Sequence, residues 1–322
     1  MMKKTQRDSN PFEYTDSNKR YYTYDYYLRR TFGGKCAKIP IDAGFTCPNI
    51  DGRCGVGGCI YCSPRGSGDF AQSSEISIAE QYYKVRETLS SKWRTDRCIA
   101  YFQAHTNTYA PTDVLKDKFE QALSLDGVVG LNIATRADCL EDSTLEYLAE
   151  LAERTVLTVE LGLQSSRDST AELINRGHNF ETFCEGYRRL RAASEKINIC
   201  VHIIFGLPKE SREDMLCTVR DVVDLSPEQV KIHLLHVLKD TRLGEIYERG
   251  GYFPMEKEEY VSLVCDAIEL LPPECVVARV TGDGMADTLL APEWSRKKVS
   301  VINDIDKMLY ERASYQGKYY NK

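Results

Sequence analysis

The chain has 322 residues, 42% of them hydrophobic, and 42 Lys and Arg against 48 Asp and Glu give a formal charge of −6; that length supports one large α/β domain or two ordinary ones without disulfide staples. The acidic balance argues against a generally basic nucleic-acid coat but leaves room for a local basic surface. No stretch reaches the roughly 18 to 20 apolar residues of a membrane span and MMKKTQRDSNPFEYTD has no apolar signal core, so a cytoplasmic protein with no membrane association is expected.

The first 35 residues are polar and rich in tyrosine; RYYTYDYYLRRTFGG reads as a short helix or arm leading to a Gly-Gly turn. Beyond it, apolar β-branched runs alternate with segments of helical period. Strands are expected at 37–43, 97–104, 128–135, 155–163, 197–205, 229–237 and 274–280. Helices are expected near 77–91, 113–124, 143–153, 180–194, 211–224 and 256–271, with a last amphipathic helix near 298–313. Asp142 or Ser143 would open the third helix, and Ser211, three residues before Asp214, is placed as in a capping box. Strands each followed by a helix imply a parallel sheet with right-handed crossovers. A doubly wound open sheet and a full or partial (β/α) barrel both fit that period. No Pro- or Ser-rich linker divides the chain. The expected organisation is an arm at 1–35, a core at 36–285 and a helical extension at 286–322.

The chain holds twelve cysteines, and structural disulfides are rare in the cytoplasm. Cys36, Cys98, Cys139, Cys184, Cys200, Cys217, Cys265 and Cys275 read as small core filler. The loop after the first strand, GFTCPNIDGRCGVGGCIYCSPRGSGDF, differs: it carries Cys47, Cys54, Cys59 and Cys62 among many glycines. Glycines let a backbone wrap closely around a compact inorganic group, and such a loop lies where α/β folds keep active sites. Four thiolates could hold structural zinc, but only Cys59 and Cys62 form a tight pair. Three thiolates on a four-iron cluster would leave one iron open to a further ligand.

This segment resembles radical S-adenosylmethionine (SAM) enzymes, and in particular the bacterial YhcC/YtqA family, whose loop has the form GFTCPN-DG-GGC-FC. The match assigns Cys47, Cys59 and Cys62, spaced C-x11-C-x2-C, as ligands of a [4Fe–4S] cluster, with SAM as second cofactor. Cys54 departs from the pattern and reads as a bystander or an alternative ligand. YCSPRGSGDF is also similar to the loop of the elongator catalytic subunit. The opening RYYTYDYYLRRTFGGKCAKIPIDAGF, then TRADCL, VELGLQS, INRGH, VHIIFGLP, RVTGDG and LLAPEW extend the resemblance over nearly the whole chain. It implies a partial or near-complete (β/α) barrel of about six to seven parallel strands.

The resemblance also directs attention to the strand ends. Tyr61 would flank the adenine of SAM, and Gln103, Thr106 and Asn107 in FQAHTNTYAP would hold its amino group. Gly206 and Pro208 would contact adenine by the shape of their turn. Arg136 could clamp a carboxylate with its planar fork. Glu160, charged within an apolar run, needs a polar partner such as an amine, a ribose or Arg136; Gln164 follows it. Arg176 and His178 are candidates for cofactor or substrate contacts. Lys231 and His233 alternate onto one strand face and are catalytic candidates if that face is the barrel interior. Arg279, Asp283, Trp294, Arg296, Lys297 and Lys298 read either as a lid or as a phosphate and base contact.

The function this implies is modification of a tRNA nucleoside by a radical enzyme, converting a wobble-uridine carboxymethylaminomethyl group to aminomethyl. tRNA, a flavodoxin- or ferredoxin-type electron donor and a partner methyltransferase would be its partners. The alternatives are radical chemistry on a small metabolite or peptide, and a zinc-stabilised binding module without catalysis.

Overall fold

The computed structural model describes residues 10–66, 68, 70–90, 95–282 and 287–320. Its described strands, in chain order, are β1 (Ala37–Ile41), β2 (Cys98–Phe102), β3 (Val128–Thr135), β4 (Val156–Gln164), β5 (Asn198–Phe205), β6 (Gln229–Leu234), β7 (Val237–Leu238), β8 (Val276–Arg279) and β9 (Leu289–Ala291). Seven pair in the order β1-β2-β3-β4-β5-β6-β8, every pair parallel. A doubly wound sheet reverses its order at a switch point; this one never does, so it curls into a half-barrel. β7 and β9 form a separate antiparallel pair.

Strand alternation sorts the two faces. Outward positions are apolar and fully buried, such as Ile39, Ile41, Phe102, Leu131, Ile133, Val159, Leu161, Ile203 and Ile232. They meet α2 (Ile78–Ser90), α3 (Thr112–Leu123), α4 (Asp142–Arg154), α6 (Phe180–Ala193), α7 (Arg212–Leu225) and α9 (Lys257–Leu270). Phe102 of β2 sets its ring 4.8 Å from Phe119 of α3, tilted by 63°. Deleting a ring from such a core costs ~3–5 kcal/mol. Inward positions are mostly polar, which is what makes the lumen a site.

The N-terminal arm closes the open side of the half-barrel. Val277 of β8 donates to the carbonyl of Tyr22 at 2.8 Å. α1 (Tyr24–Phe32) then crosses to β1 and β2, packing Leu28 beside Cys36 and Ile99. Its N-cap Thr23 accepts from the Tyr26 amide, and Gly33 stops it at φ 70°, a left-handed turn that glycine adopts without strain.

The expected elements are present with shifted ends. The strand expected over 229–237 stops at Leu234, because β7 turns away to pair with β9. The third helix starts at Asp142 with Glu141 as its unbonded cap, not Asp142 or Ser143. The Ser211–Asp214 capping box is present. α5 (Asp168–Leu173) and α8 (Arg242–Glu248) were not anticipated, being too short to show an apolar stripe. α10 (Lys298–Glu311) packs on α9. No described helix is long and apolar enough to cross a membrane.

Candidate active site

The cysteine loop leaves β1 and folds over the strand ends. Its turns are closed by Ile50 and Asp51 amides on the Cys47 carbonyl, Cys54 on Pro48 and Gly58 on Asn49. The Ile60 amide reaches the Ile174 carbonyl at 3.0 Å, and Asn175 Nδ2 donates to the carbonyls of Val56 and Gly58 at 3.1 and 2.7 Å. INRGH is therefore the buttress of the loop, not a surface turn.

Cys59 is buried; Cys47 and Cys62 are half-buried and Cys54 exposed. Asn49 Nδ2 and Arg176 Nη1 point to Cys59 Sγ at 3.6 and 3.9 Å. A hydrogen bond from Cys62 and then the Arg176 charge hold the Cys59 thiol well below its ordinary range against burial. A Cβ on Gly55 or Gly177 would strike Asn49 Oδ1 at 2.2 or 2.8 Å, so both glycines are required by close packing of this loop. Three thiols, two N–H donors aimed at sulfur and a glycine cradle suit an iron–sulfur cluster, whose potential responds to hydrogen bonds on sulfur. Among the described residues, no three His, Cys, Asp or Glu side chains group as ligands for a single ion.

Cys54 lies 3.8 Å from Asp138 Oδ2. Arg136 does clamp a carboxylate, but the protein's own: Nε and Nη2 meet Asp138 at 2.9 and 2.7 Å, and Nη1 reaches the Arg176 carbonyl at 2.7 Å. Arg176 Nη2 bonds the Gly162 carbonyl. His178 is half-buried with Nε2 unpartnered; burial, Arg176 and Arg136 drive its pKa down to about 3.

At the strand ends, Asn107 is buried and donates to the Ala104 and Ala134 carbonyls at 3.0 and 2.9 Å, tying β2 to β3. Thr106 is buried, its amide on the Thr46 carbonyl. Thr106 thus touches the loop through its main chain, and Asn107 Oδ1 is buried without a hydrogen-bond partner; Gln103, Gln164 and Tyr61 line a cavity of about 620 Å³. Gly206 takes φ 88°, with its carbonyl held by Tyr252 Oη at 2.7 Å and its amide on Met215 Sδ; Pro208 beside it is half-buried.

Deeper in the same cavity lies a network that sequence reasoning only partly found. Glu160 is buried in β4. Its Oε1 accepts from Lys38 Nζ of β1 and Asn132 Nδ2 of β3, each at 2.6 Å. Oε2 accepts from Lys231 of β6 and meets His202 Nε2 of β5 at 2.9 Å. The amine expected as a partner of Glu160 is thus the protein's own, and Arg136 is not among its partners. Burial alone would raise the Glu160 pKa, but Lys231 and Lys38 outweigh it and hold it well below the usual carboxylate range. Burial brings Lys38 down to about 7 and His202 to about 4, and pushes His233 well below its usual range. His233 Nε2 is buried without a hydrogen-bond partner, 5.1 Å ring to ring from His202. Tyr101 of β2 sets its ring 3.7 Å from Lys38 Nζ and its hydroxyl 3.3 Å from Lys231. Lys38, Asn132 and Tyr101 carried no sequence signal, since AKIPI alternates like a solvated strand until the sheet closes.

Trp294, read either as part of a lid or as a base contact, packs inward. Its Nε1 bonds the Met255 carbonyl at 3.1 Å and its ring lies 5.7 Å from that of Tyr260. Arg296 bonds the Leu289 carbonyl at 3.0 Å. The lid reading therefore describes this segment; Arg279 and Lys298 line the cavity, Lys297 precedes α10, and Asp283 lies outside the described residues.

Comparison with known proteins fits this architecture. Residues 50–222 match the radical SAM superfamily and residues 227–311 the Radical_SAM C-terminal domain. The chain is 48% identical over 314 residues to YtqA of Bacillus subtilis, covering 98% of this chain and 97% of YtqA. It is 35% identical over 288 residues to YhcC of Escherichia coli, covering 89% and 91%. A shorter match, 28% over 213 residues, is to the tRNA uridine(34) acetyltransferase of Methanocaldococcus infernus, covering 65% of this chain and 38% of that one. The structure of Elp3 from Methanocaldococcus infernus superposes with a TM-score of 0.65 at 17% identity, covering 87% of this chain and 64% of that one. The fold is that of a radical SAM enzyme, a class that uses a [4Fe–4S] cluster and SAM. Within it, the chain belongs to the family of YtqA and YhcC.

Proposed function

We propose that this enzyme modifies the side chain of a wobble uridine in tRNA, taking carboxymethylaminomethyl to aminomethyl. The carrying observation is the cavity beneath the cysteine loop: its wall sets Lys38 and Lys231 among aromatic and apolar side chains, and Tyr61, next to Cys62, lines it. Cys47, Cys59 and Cys62 would hold the cluster, with Tyr61, Gln103, Gln164 and the turn at Gly206 and Pro208 facing SAM. When bound, the cluster and SAM supply a 5′-deoxyadenosyl radical for hydrogen abstraction; the protein's part is orientation and exclusion of water. The substrate's CH2–NH–CH2–COO⁻ group is a secondary amine ending in a carboxylate, and the lumen offers Lys38 and Lys231 to the acid. The relatives named for tRNA uridine(34) support a nucleoside substrate. A flavodoxin or ferredoxin would supply the electron, and a methyltransferase would act on the aminomethyl product.

Mass spectrometry of tRNA nucleosides from a deletion strain tests this. Carboxymethylaminomethyl uridine should accumulate at the expense of aminomethyl-derived nucleosides; an unchanged profile overturns the reading. Intact SAM cleavage without any tRNA gel shift would favour a small metabolite or peptide instead.

A further inference from the structure

Glu160 makes four contacts with its two oxygens, to Lys38, Asn132, His202 and Lys231. It is therefore saturated, and its single charge is shared by two lysines. Of the ammonium groups on the cavity wall, Lys38 and Lys231 both turn to Glu160, and the carboxylate that lines the wall itself is Asp25. Asp25 is engaged by Arg29 of its own helix at 2.9 Å. Two ammonium groups on one carboxylate leave a positive charge that Glu160 does not offset, and a buried cation without full compensation is costly. The two ammonium groups are also held in place. Lys38 rests on the Tyr101 ring, and Lys231 spends one donor on Glu160 and one on the Tyr101 hydroxyl. An ammonium has three donors, so Lys231 keeps a third for a ligand. The volume of about 620 Å³ lies in the range of small-molecule sites.

The geometry points to Lys38 and Lys231 as an anion site that takes the terminal carboxylate of the substrate side chain, with Glu160 as the positioning residue that sets the two ammonium groups. This rests on the reading above only in naming the carboxymethylaminomethyl nucleoside as the bearer of that carboxylate. It assigns a specificity: the enzyme discriminates an acid from the same side chain without its charge.

The reconstituted holoenzyme, its cluster kept oxidised to prevent turnover, is titrated calorimetrically with and without saturating SAM. The probes are 5-carboxymethylaminomethyluridine, its methyl ester and N-methylglycine. The acid should bind about tenfold or more tighter than the ester, as expected for a charge-assisted contact. Lys231→Met should bring that ratio near one, and Lys231→Arg should restore a preference. An acid-to-ester ratio near one in the unmodified enzyme overturns the proposal without recourse to any variant. Displacement of the acid by SAM also overturns it, because the lysines would then serve the cofactor's own carboxylate. Lysine-dependent binding of N-methylglycine equal to that of the nucleoside keeps the anion site and removes the nucleoside, so the two readings fail separately.

Discussion

Arg136 donates from Nη1 to the main-chain carbonyl of Arg176 at 2.7 Å, and Arg176 in turn aims its own guanidinium at Cys59 Sγ. Asp138 anchors the series by gripping Arg136 with both oxygens. The two arginines thus have different tasks. Arg136 braces the backbone that buttresses the cysteine loop, while Arg176 acts on the sulfur itself.

Arg136→Leu should therefore cost stability first. It strips a nearly buried ion pair of one partner, a change that costs ~3–5 kcal/mol, and it frees INRGH from the loop. Urea unfolding should show the loss, and iron content after reconstitution should fall with it. Arg176→Met should instead retain the cluster but lower its reduction potential, since a donor and a positive charge leave the sulfur. Potentiometric titration followed by electron paramagnetic resonance checks the direction; an unchanged or raised potential would contradict it.

The four cysteines of the loop should separate cleanly. Cys59→Ala is expected to abolish the visible absorbance that dithionite bleaches, with Cys47→Ala and Cys62→Ala behaving alike. Cys54→Ala should keep full iron and sulfide, because Cys54 is exposed and turned to Asp138. Loss of colour in Cys54→Ala would make it a ligand.

The difference in how readily these features could be read has a physical cause. Ligand spacing is dictated locally by the size of the group held, so the cysteine loop stands out in the chain. The strands stand out because burial imposes a period on them. The lumen network depends on closure. Lys38 and Glu160 are 122 positions apart, and nothing near Lys38 distinguishes an inward lysine from a solvated one. Trp294 stayed open between two readings for the same reason: adjacent cations suggest base stacking, whereas its surroundings come from Met255 and Tyr260.

Acid binding should depend on pH near neutrality. Burial brings Lys38 down to about 7, with Glu160 opposing and Lys231 adding to the shift. Raising pH through that value removes its proton, so affinity for a carboxylate should fall between about pH 6 and 8 by roughly tenfold, given ~1.5–3 kcal/mol for a charged hydrogen bond. Groups facing Lys38 titrate elsewhere: Glu160 far below, His202 at about 4, Cys200 at about 12, and Tyr24 and Tyr101 above their usual range. Lys38→Met should flatten the profile. For stability the sign is opposite. The unfolded lysine keeps its proton up to its ordinary pKa, so the contribution of Lys38 to folding stability rises with pH above about 7.

One side-chain amide ties the closing arm to two other segments. Gln316 is fully buried; its Oε1 accepts from the Tyr22 amide at 2.8 Å, and its Nε2 donates to the carbonyls of Pro272 and Cys275 at 2.6 and 2.7 Å. It joins the arm, the turn before β8 and the C-terminal segment in one place. Gln316→Ala would leave the Tyr22 amide and the Cys275 carbonyl without this partner, while the Pro272 carbonyl keeps the Cys275 amide; each loss costs ~1–3 kcal/mol before water or relaxation offsets part of it. A loss of about 3 kcal/mol in urea unfolding is expected. Because Tyr22 also accepts from Val277 on β8, the loss should propagate to the cavity wall. Amide hydrogen exchange should quicken along 20–23 and β8 while β3 and β4 keep their protection. Uniform exchange across the sheet would instead show that the arm is not a separate closing element.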